Sequence, residues 1–176
     1  MDKLLLVSCC APCSVGVITD LVNQKQDFTV LFYNPNIQPQ QEYQRRLMEN
    51  KKVCDEQGVP FIELEYDPSA WKKITQGLEN EPERGKRCDK CFYLRLKRAA
   101  DYAKQHGFTR MTSVLGISRY KDFDQVCRAG KLVESETGIT YDTTNWRKNG
   151  GLERTETLAR DKKLYRQRYC GCKPKD

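Results

Sequence analysis

Seven of the nine cysteines fall into three tight groups, and their spacing sets what chemistry the chain can carry. The first group is Cys9-Cys10-Ala11-Pro12-Cys13, the second Cys88-Asp89-Lys90-Cys91, the third Cys170-Gly171-Cys172. A lone C-x-x-C serves zinc, an iron–sulfur cluster or disulfide exchange equally well. Four thiolates drawn from the first two groups would hold either Zn²⁺ or a [4Fe-4S] cluster, and spacing does not choose between them. Three clustered thiols are then left over, which a purely structural zinc would not explain. A disulfide across the single residue between Cys170 and Cys172 closes a small, strained ring that is easy to reduce. That suits a redox pair. Chain ends are usually mobile, so the same thiols also fit a swinging pair or a late metal ligand.

Cys54, seven residues after Leu47, and Cys127, on a helical stripe with Phe123 and Val126, read instead as small core hydrophobes. The single histidine, His106, stands beside Gly107 and reads as a helix C-cap. Cys₂His₂ zinc sites and Ser-His-Asp triads therefore have almost nothing to build on.

The elements that must position these thiols follow an alternating pattern. Lys3–Ser8 is a short apolar strand of the kind buried on both faces of a parallel sheet. A helix capped by Ser14 runs through Val22, a strand covers Phe28–Tyr33, and Asn34-Pro35-Asn36 is a loop. Pro39 opens a polar helix through Cys54 that Gly58 stops, and Phe61–Leu64 is a third strand. A short helix lies around Trp71 and Ile74, and a longer one runs from about Asp89 to Gln105. Met111–Leu115 is a fourth strand, and Asp122 starts another helix that Gly130 and Gly138 interrupt. Tyr141–Gly151 reads as loop and Leu152–Leu164 as a last helix. Strand and helix in alternation predict an α/β fold, a doubly wound parallel sheet flanked by helices.

In such a sheet ligands bind beyond the carboxyl ends of the strands, where Cys9-Cys10-Ala11-Pro12-Cys13 falls. The following helix N-terminus favours thiolate over thiol there. A phosphate loop at this turn would need glycines, and only Gly16 is near. The turn is built for a soft metal rather than a nucleotide.

The chain has 176 residues, close to the usual size of one domain, with 38% hydrophobic and 31% charged residues. We expect a single α/β domain over 1–176, with a basic arm over about 147–176. Its mean hydropathy of −0.78 and the shortness of Leu4-Leu5-Leu6-Val7 exclude a helical membrane span, which takes about 20 apolar residues. No secretory leader is evident, so a cytoplasmic location is expected. Lys and Arg number 31 against 24 Asp and Glu, a net +7 that favours a polyanionic partner. From Arg147 onward there are ten basic and four acidic residues, which sharpens that reading.

Taken together, five ordered motifs resemble the epoxyqueuosine reductase QueH family. They are Ser8-Cys9-Cys10-Ala11-Pro12-Cys13, Phe32-Tyr33-Asn34-Pro35-Asn36-Ile37, Arg87-Cys88-Asp89-Lys90-Cys91 with Arg95-Leu96, Ser118-Arg119-Tyr120-Lys121-Asp122, and Arg166-Gln167-Arg168-Tyr169-Cys170-Gly171-Cys172. The match runs from about residue 4 to residue 172, and the motifs depart nowhere from the pattern. The resemblance implies a Rossmann-like fold related to the adenine nucleotide hydrolase-like proteins. It also implies the last step of queuosine formation, in which the epoxide of epoxyqueuosine in a tRNA anticodon loop is reduced to an alkene with loss of water.

Carried over by position, the resemblance makes Cys9, Cys10, Cys88 and Cys91 ligands of a [4Fe-4S] cluster and Cys170 with Cys172 the redox pair. Cys13 is then spare and able to help hold a second metal ion, iron, beside the cluster. An external electron donor is required. Proton donors are sought among Tyr120, Lys121 and Asp122, and base-stacking aromatics among Tyr33, Tyr43 and Trp146. Arg147, Arg154, Arg166 and Arg168 are the expected phosphate contacts. Two other readings compete: a zinc-stabilised RNA-binding module without catalysis, and an ATP-dependent tRNA-modifying enzyme, which would need the missing glycine-rich loop.

Overall fold

Leu4–Ser8 carries apolar side chains on both of its faces, so it must lie between two covering layers. The computed structural model, which describes residues 2–173, puts it at the centre of the sheet. This strand, β1, is buried at every residue. It is followed by α1 (Ala11–Asn23), β2 (Phe28–Phe32), α2 (Gln40–Glu56), β3 (Phe61–Glu63) and α3 (Pro68–Thr75). Then come α4 (Lys86–Gln105), β4 (Arg110–Ser113), α5 (Phe123–Thr137), β5 (Thr140–Tyr141) and α6 (Gly151–Asp161). The five strands are parallel, in the order β3-β2-β1-β4-β5. β1 pairs with β2 from Leu4↔Phe28 to Ser8↔Phe32 and with β4 from Leu4↔Arg110 to Val7↔Ser113.

The period-2 alternation of β1 divides the core into two layers. Leu5 and Val7 pack with Leu96, Ala99 and Ala100 of α4 and Val126 and Val133 of α5. Leu4 and Leu6 face Val15, Ile18 and Leu21 of α1 and Ala159 of α6. Cys54 is fully buried in this second layer, as expected, while Cys127 is half-buried on α5. The chain leaves β1 first toward β2 and β3, then returns to lay β4 and β5 on the other side. The order therefore switches between β1 and β4, which opens a crevice beyond their carboxyl ends.

Several expected boundaries move. Cys10, not Ser14, is the N-cap of α1: its backbone is extended at φ −169° and Pro12 takes the first turn. Ser14 sits one turn in, and its hydroxyl donates to the Cys10 carbonyl at 2.7 Å. α4 starts at Lys86, so Cys88 and Cys91 both lie in its opening turns. Gly130 does not break α5; it lets the helix lie against the Tyr141 ring, where a Cβ would collide. Gly138, at φ +78°, is the left-handed C-cap. His106 caps α4 with its ring stacked on Tyr102 at 3.9 Å. The two-residue β5 lies where a loop was expected, too short to leave a period in the sequence.

The basic C-terminal segment does not hang free over its described part. α6 packs on α1 so closely that a Cβ on Gly16 would meet Thr155. Leu164 is buried in the same layer, and the chain then crosses back to the strand ends. Lys175 and the last residues of the expected arm lie outside the described residues.

Candidate metal and redox centre

Ser8 ends β1 and is locked in place by a buried polar network. Its hydroxyl lies 2.5 Å from the Ser14 hydroxyl and accepts from Asn50 Nδ2. Its carbonyl accepts from Asn34 Nδ2 at 3.0 Å. The thiol group that follows is thus fixed to the sheet from both sides. Cys9, Cys10 and Cys13 bring their sulfurs within 4.8 Å of one another, and Cys9 Sγ is 3.6 Å from Cys10 Sγ. Cys9 packs against both core layers, at the carboxyl end of β1.

A cavity of about 770 Å³ opens there, lined among others by Cys9, Cys13, Cys88, Cys91, Cys170 and Cys172. Three segments far apart in the chain deliver these six thiols: the β1–α1 turn, the start of α4, and the C-terminal segment. Cys10 accepts a 2.7 Å hydrogen bond from Gln167 Nε2. The tightest three-sulfur group is Cys9, Cys10 and Cys13, with Cys88 and Cys91 contributed by the cavity wall on α4.

The thiols do not share one charge state. Hydrogen bonds from Cys10 and Cys13 hold the Cys9 thiol well below its ordinary value; burial opposes them, and Arg95 and Arg46 assist. The hydrogen bond from Cys13 favours the Cys10 thiolate, but the bond to Cys9 and burial together push that thiol up to about 12. The bonds to Cys10 and Cys9 raise Cys13. Burial raises Cys88.

At the C-terminus, Cys170 and Cys172 stand 3.2 Å apart, sulfur to sulfur. The hydrogen bond from Cys172 pulls Cys170 down to about 5, against burial and with help from Lys121, and the same bond drives Cys172 up. Burial disfavours the Lys121 charge, but Cys170, Cys88 and Glu83 outweigh it and hold the ammonium above its usual value.

Two buried guanidiniums face this set. Arg87 and Arg95, each 4% exposed, line the cavity, and neither has a carboxylate partner among the described residues. Arg95 gives one Nη2 bond to Asn34 Oδ1, and Arg87 gives Nη1 to the Glu79 carbonyl at 2.9 Å. The Nε atoms of both are buried and unpartnered. Buried cations are ordinarily paired with negative charge. Thiolates, or a thiolate-held metal cluster, would supply it, and the donor set fits a soft metal.

Other expected roles divide. Asp122 is occupied as the N-cap of α5, accepting from Asp124 N at 2.9 Å and Gln125 N at 3.2 Å, which removes it as a proton donor. Lys121 and Tyr120 do line the cavity, and Tyr120 is 68% exposed at its rim. Tyr33 and Tyr43 are core residues; Tyr43 stacks on Tyr66 at 4.0 Å and donates to Glu63 Oε1 at 2.9 Å, so neither can take a base. Trp146 is half-buried against the second core layer. Arg147 spends its guanidinium on the carbonyls of Ile117, Ser118 and Lys121. Arg154 bonds Asp20 and the Asn149 carbonyl. Arg166 and Arg168 are exposed on the cavity rim.

Among the cavity residues given no role from sequence are Arg46, Trp71 and Gln167. Gln167 lay within a quoted motif without a role. A mid-helix arginine in a polar helix carries no sign of burial, and in the sequence Trp71 only marks a short helix.

A family model described as "Epoxyqueuosine reductase QueH" matches residues 4–174. Among curated relatives of that name, the protein of Histophilus somni is 45% identical over 97% of this chain and 71% of its own length. That of Haemophilus influenzae is likewise 45% identical, over 97% and 70%. That of Thermotoga maritima is 30% identical, over 98% and 89%. Among solved structures, a predicted tRNA methyltransferase subunit from Methanocaldococcus jannaschii superposes with a TM-score of 0.62 at 12% identity, covering 89% of this chain and 75% of that one. This likeness speaks for the fold alone, a parallel sheet flanked by helices, as expected.

Proposed function

The chain belongs to the epoxyqueuosine reductase QueH family, and from that membership and the thiol-lined cavity we propose that it reduces epoxyqueuosine in tRNA to queuosine. The observation that carries the reading is the cavity itself, where six thiols from three segments meet two buried, uncompensated guanidiniums.

The stoichiometry of the reaction matches the residues. Converting the epoxide to an alkene takes two electrons and two protons and releases the oxygen as water. With Cys170 already a thiolate, oxidation of the Cys170–Cys172 pair to a disulfide gives up two electrons and one proton, and the Lys121 ammonium supplies the second proton, so the two halves balance. An external electron donor must then return the disulfide to the dithiol. The 3.2 Å sulfur separation and the thiolate character of Cys170 support that role.

Cys9, Cys10, Cys88 and Cys91 are the residues that would hold a [4Fe-4S] cluster, with Cys13 beside them for a second metal ion, iron. Such a cluster, when bound, supplies one-electron transfer. Arg87 and Arg95, buried and without carboxylate partners among the described residues, would offset its negative charge from the protein side. Lys121, held protonated at the cavity wall, is placed to give a proton to the departing oxygen. The rim carries Tyr120, Arg166 and Arg168 for an unpaired base and its phosphates. No helix among the described residues is long and apolar enough to cross a membrane, and a tRNA substrate fits a cytoplasmic location.

The test is nucleoside analysis after anaerobic incubation of the reconstituted protein with epoxyqueuosine-containing tRNA and a reductant. Queuosine should appear as epoxyqueuosine disappears. An unchanged nucleoside, with stoichiometric zinc bound and RNA affinity intact, would instead establish the RNA-binding module.

A further inference from the structure

The C-terminal thiols stand on a short segment after the last helix, yet the backbone of that segment is gripped at three successive carbonyls. Arg46 of α2 is 1% exposed, an unusual depth for an arginine. Its Nη2 donates to the Tyr169 carbonyl at 3.0 Å and its Nη1 to the Cys170 carbonyl at 2.9 Å. The Gly171 carbonyl accepts from the Gln38 amide at 2.9 Å. Glu42, one turn earlier on α2, aligns the guanidinium by accepting from its Nε at 2.7 Å. Glu42 also accepts from the Tyr165 hydroxyl at 2.9 Å, and the Tyr169 hydroxyl donates to the Gln38 carbonyl at 2.5 Å.

We propose that Arg46 is a positioning residue that fixes the Cys170-Gly171-Cys172 turn against the cavity and thereby sets how readily its two thiols form a disulfide. This rests on the redox role given to the pair above. A planar guanidinium presents donors in a fixed fork, so two adjacent carbonyls are held in one orientation rather than merely attracted. The grip leaves no room for a side chain at the turn. Gly171 has φ +124°, and a Cβ there would lie 2.9 Å from Ile37 Cγ1 and 3.3 Å from Arg46 Nη1. The backbone that carries the two thiols is thus held by bonds that do not involve sulfur, with the sulfurs 3.2 Å apart. Closing a disulfide requires about 2.05 Å, a small displacement that the clamp either permits or resists. Whatever the clamp adds to one redox form and not the other appears directly in the dithiol–disulfide equilibrium. A free swing of the pair is not what this geometry supports.

The test uses the reconstituted full chain and its Arg46→Lys, Arg46→Met and Gly171→Ala variants. Thiol trapping in a series of dithiothreitol redox buffers reads the Cys170–Cys172 equilibrium. Amide hydrogen exchange over residues 169–172 reads the clamp itself, without reference to redox chemistry. Arg46→Lys and Gly171→Ala should retain iron and shift the equilibrium at least tenfold, about 30 mV for a two-electron couple. They should also exchange the 169–172 amides at least tenfold faster, and lower kcat with KM for tRNA unchanged. Should Arg46→Met fail to fold, these two variants carry the test. Arg46→Lys with wild-type equilibrium, exchange and kcat would overturn the proposal. A wild-type pair that forms no disulfide in any buffer would overturn the redox role instead, and the exchange rates would still decide whether Arg46 holds the turn.

Discussion

Gln167 and Cys10, 157 residues apart in the chain, meet where the Gln167 amide nitrogen donates to the Cys10 sulfur at 2.7 Å. This bond ties the returning C-terminal segment to the turn after β1, so the first and last cysteine groups are built as one structure. Gln167→Leu removes the donor while Arg46 and Gln38 still hold the segment beyond it. The variant should keep its iron and lose about 1–3 kcal/mol of unfolding free energy, read from urea titration.

The ligand set is tested by cysteine-to-serine substitution followed by iron and sulfide analysis after anaerobic reconstitution. Cys9→Ser, Cys10→Ser, Cys88→Ser and Cys91→Ser should each lose cluster iron and sulfide. Cys54→Ser and Cys127→Ser should keep both, because those residues neither line the cavity nor join the Cys9, Cys10 and Cys13 sulfurs. Cys13→Ser should lose only iron bound beyond the cluster. Full sulfide in Cys88→Ser would remove α4 from the ligand set.

The C-terminal pair gives a pH dependence with a defined sign. Cys170 is pulled down to about 5, first by the hydrogen bond from Cys172 and then by Lys121. In metal-free, reduced protein its iodoacetamide alkylation rate should stay level from about pH 8 down to about pH 6. It should then fall as the pH drops through about 5, where the thiolate takes up its proton. An ordinary cysteine, titrating near about 8.5, would lose rate across the whole range. Cys172, held up by the same bond, should stay unmodified at neutral pH while Cys170 reacts.

The basic residues separate into structural and RNA-facing sets. Arg147→Ala deletes bonds to three carbonyls and should cost about 3 kcal/mol of stability. Arg166→Ala, which also deletes an exposed 3.1 Å bond to the Glu156 carbonyl, and Arg168→Ala should each reduce the salt slope of tRNA binding by about 0.7 to 0.9, at little cost in stability. Unchanged slopes in both would leave the rim without an RNA contact.

Much of this arrangement was legible because its signals are local. A four-residue apolar run marked β1 as central, and cysteines immediately after it had to fall at the strand ends. A C-x-x-C at a helix start places both sulfurs on one helical face, which α4 bears out in position if not in boundary. What the sequence hid depends on long-range contacts. Tyr33 and Tyr43 have the composition of a stacking surface but are claimed by the core. Ser14 looks like a cap but bonds Ser8 and the Cys10 carbonyl from inside the helix. Arg46 lies in a polar helix with mean character suited to solvent, and only the returning segment, more than 120 residues later, makes it a buried clamp. The C-terminal thiols look mobile for the same reason: the groups that hold them are far away in the chain.

In the proposed reaction Cys170 and Cys172 give the two electrons that remove the epoxide oxygen. The most direct measurement is a single turnover by iron-loaded, pre-reduced protein with no external electron donor present. Nucleoside analysis of the tRNA and thiol trapping of the protein are then read from the same sample. Up to one queuosine should form per chain, with one Cys170–Cys172 disulfide for each queuosine, and none should be formed by Cys172→Ser with its iron intact. Queuosine formed while both thiols remain reduced, or formed equally well by Cys172→Ser, would contradict that proposal.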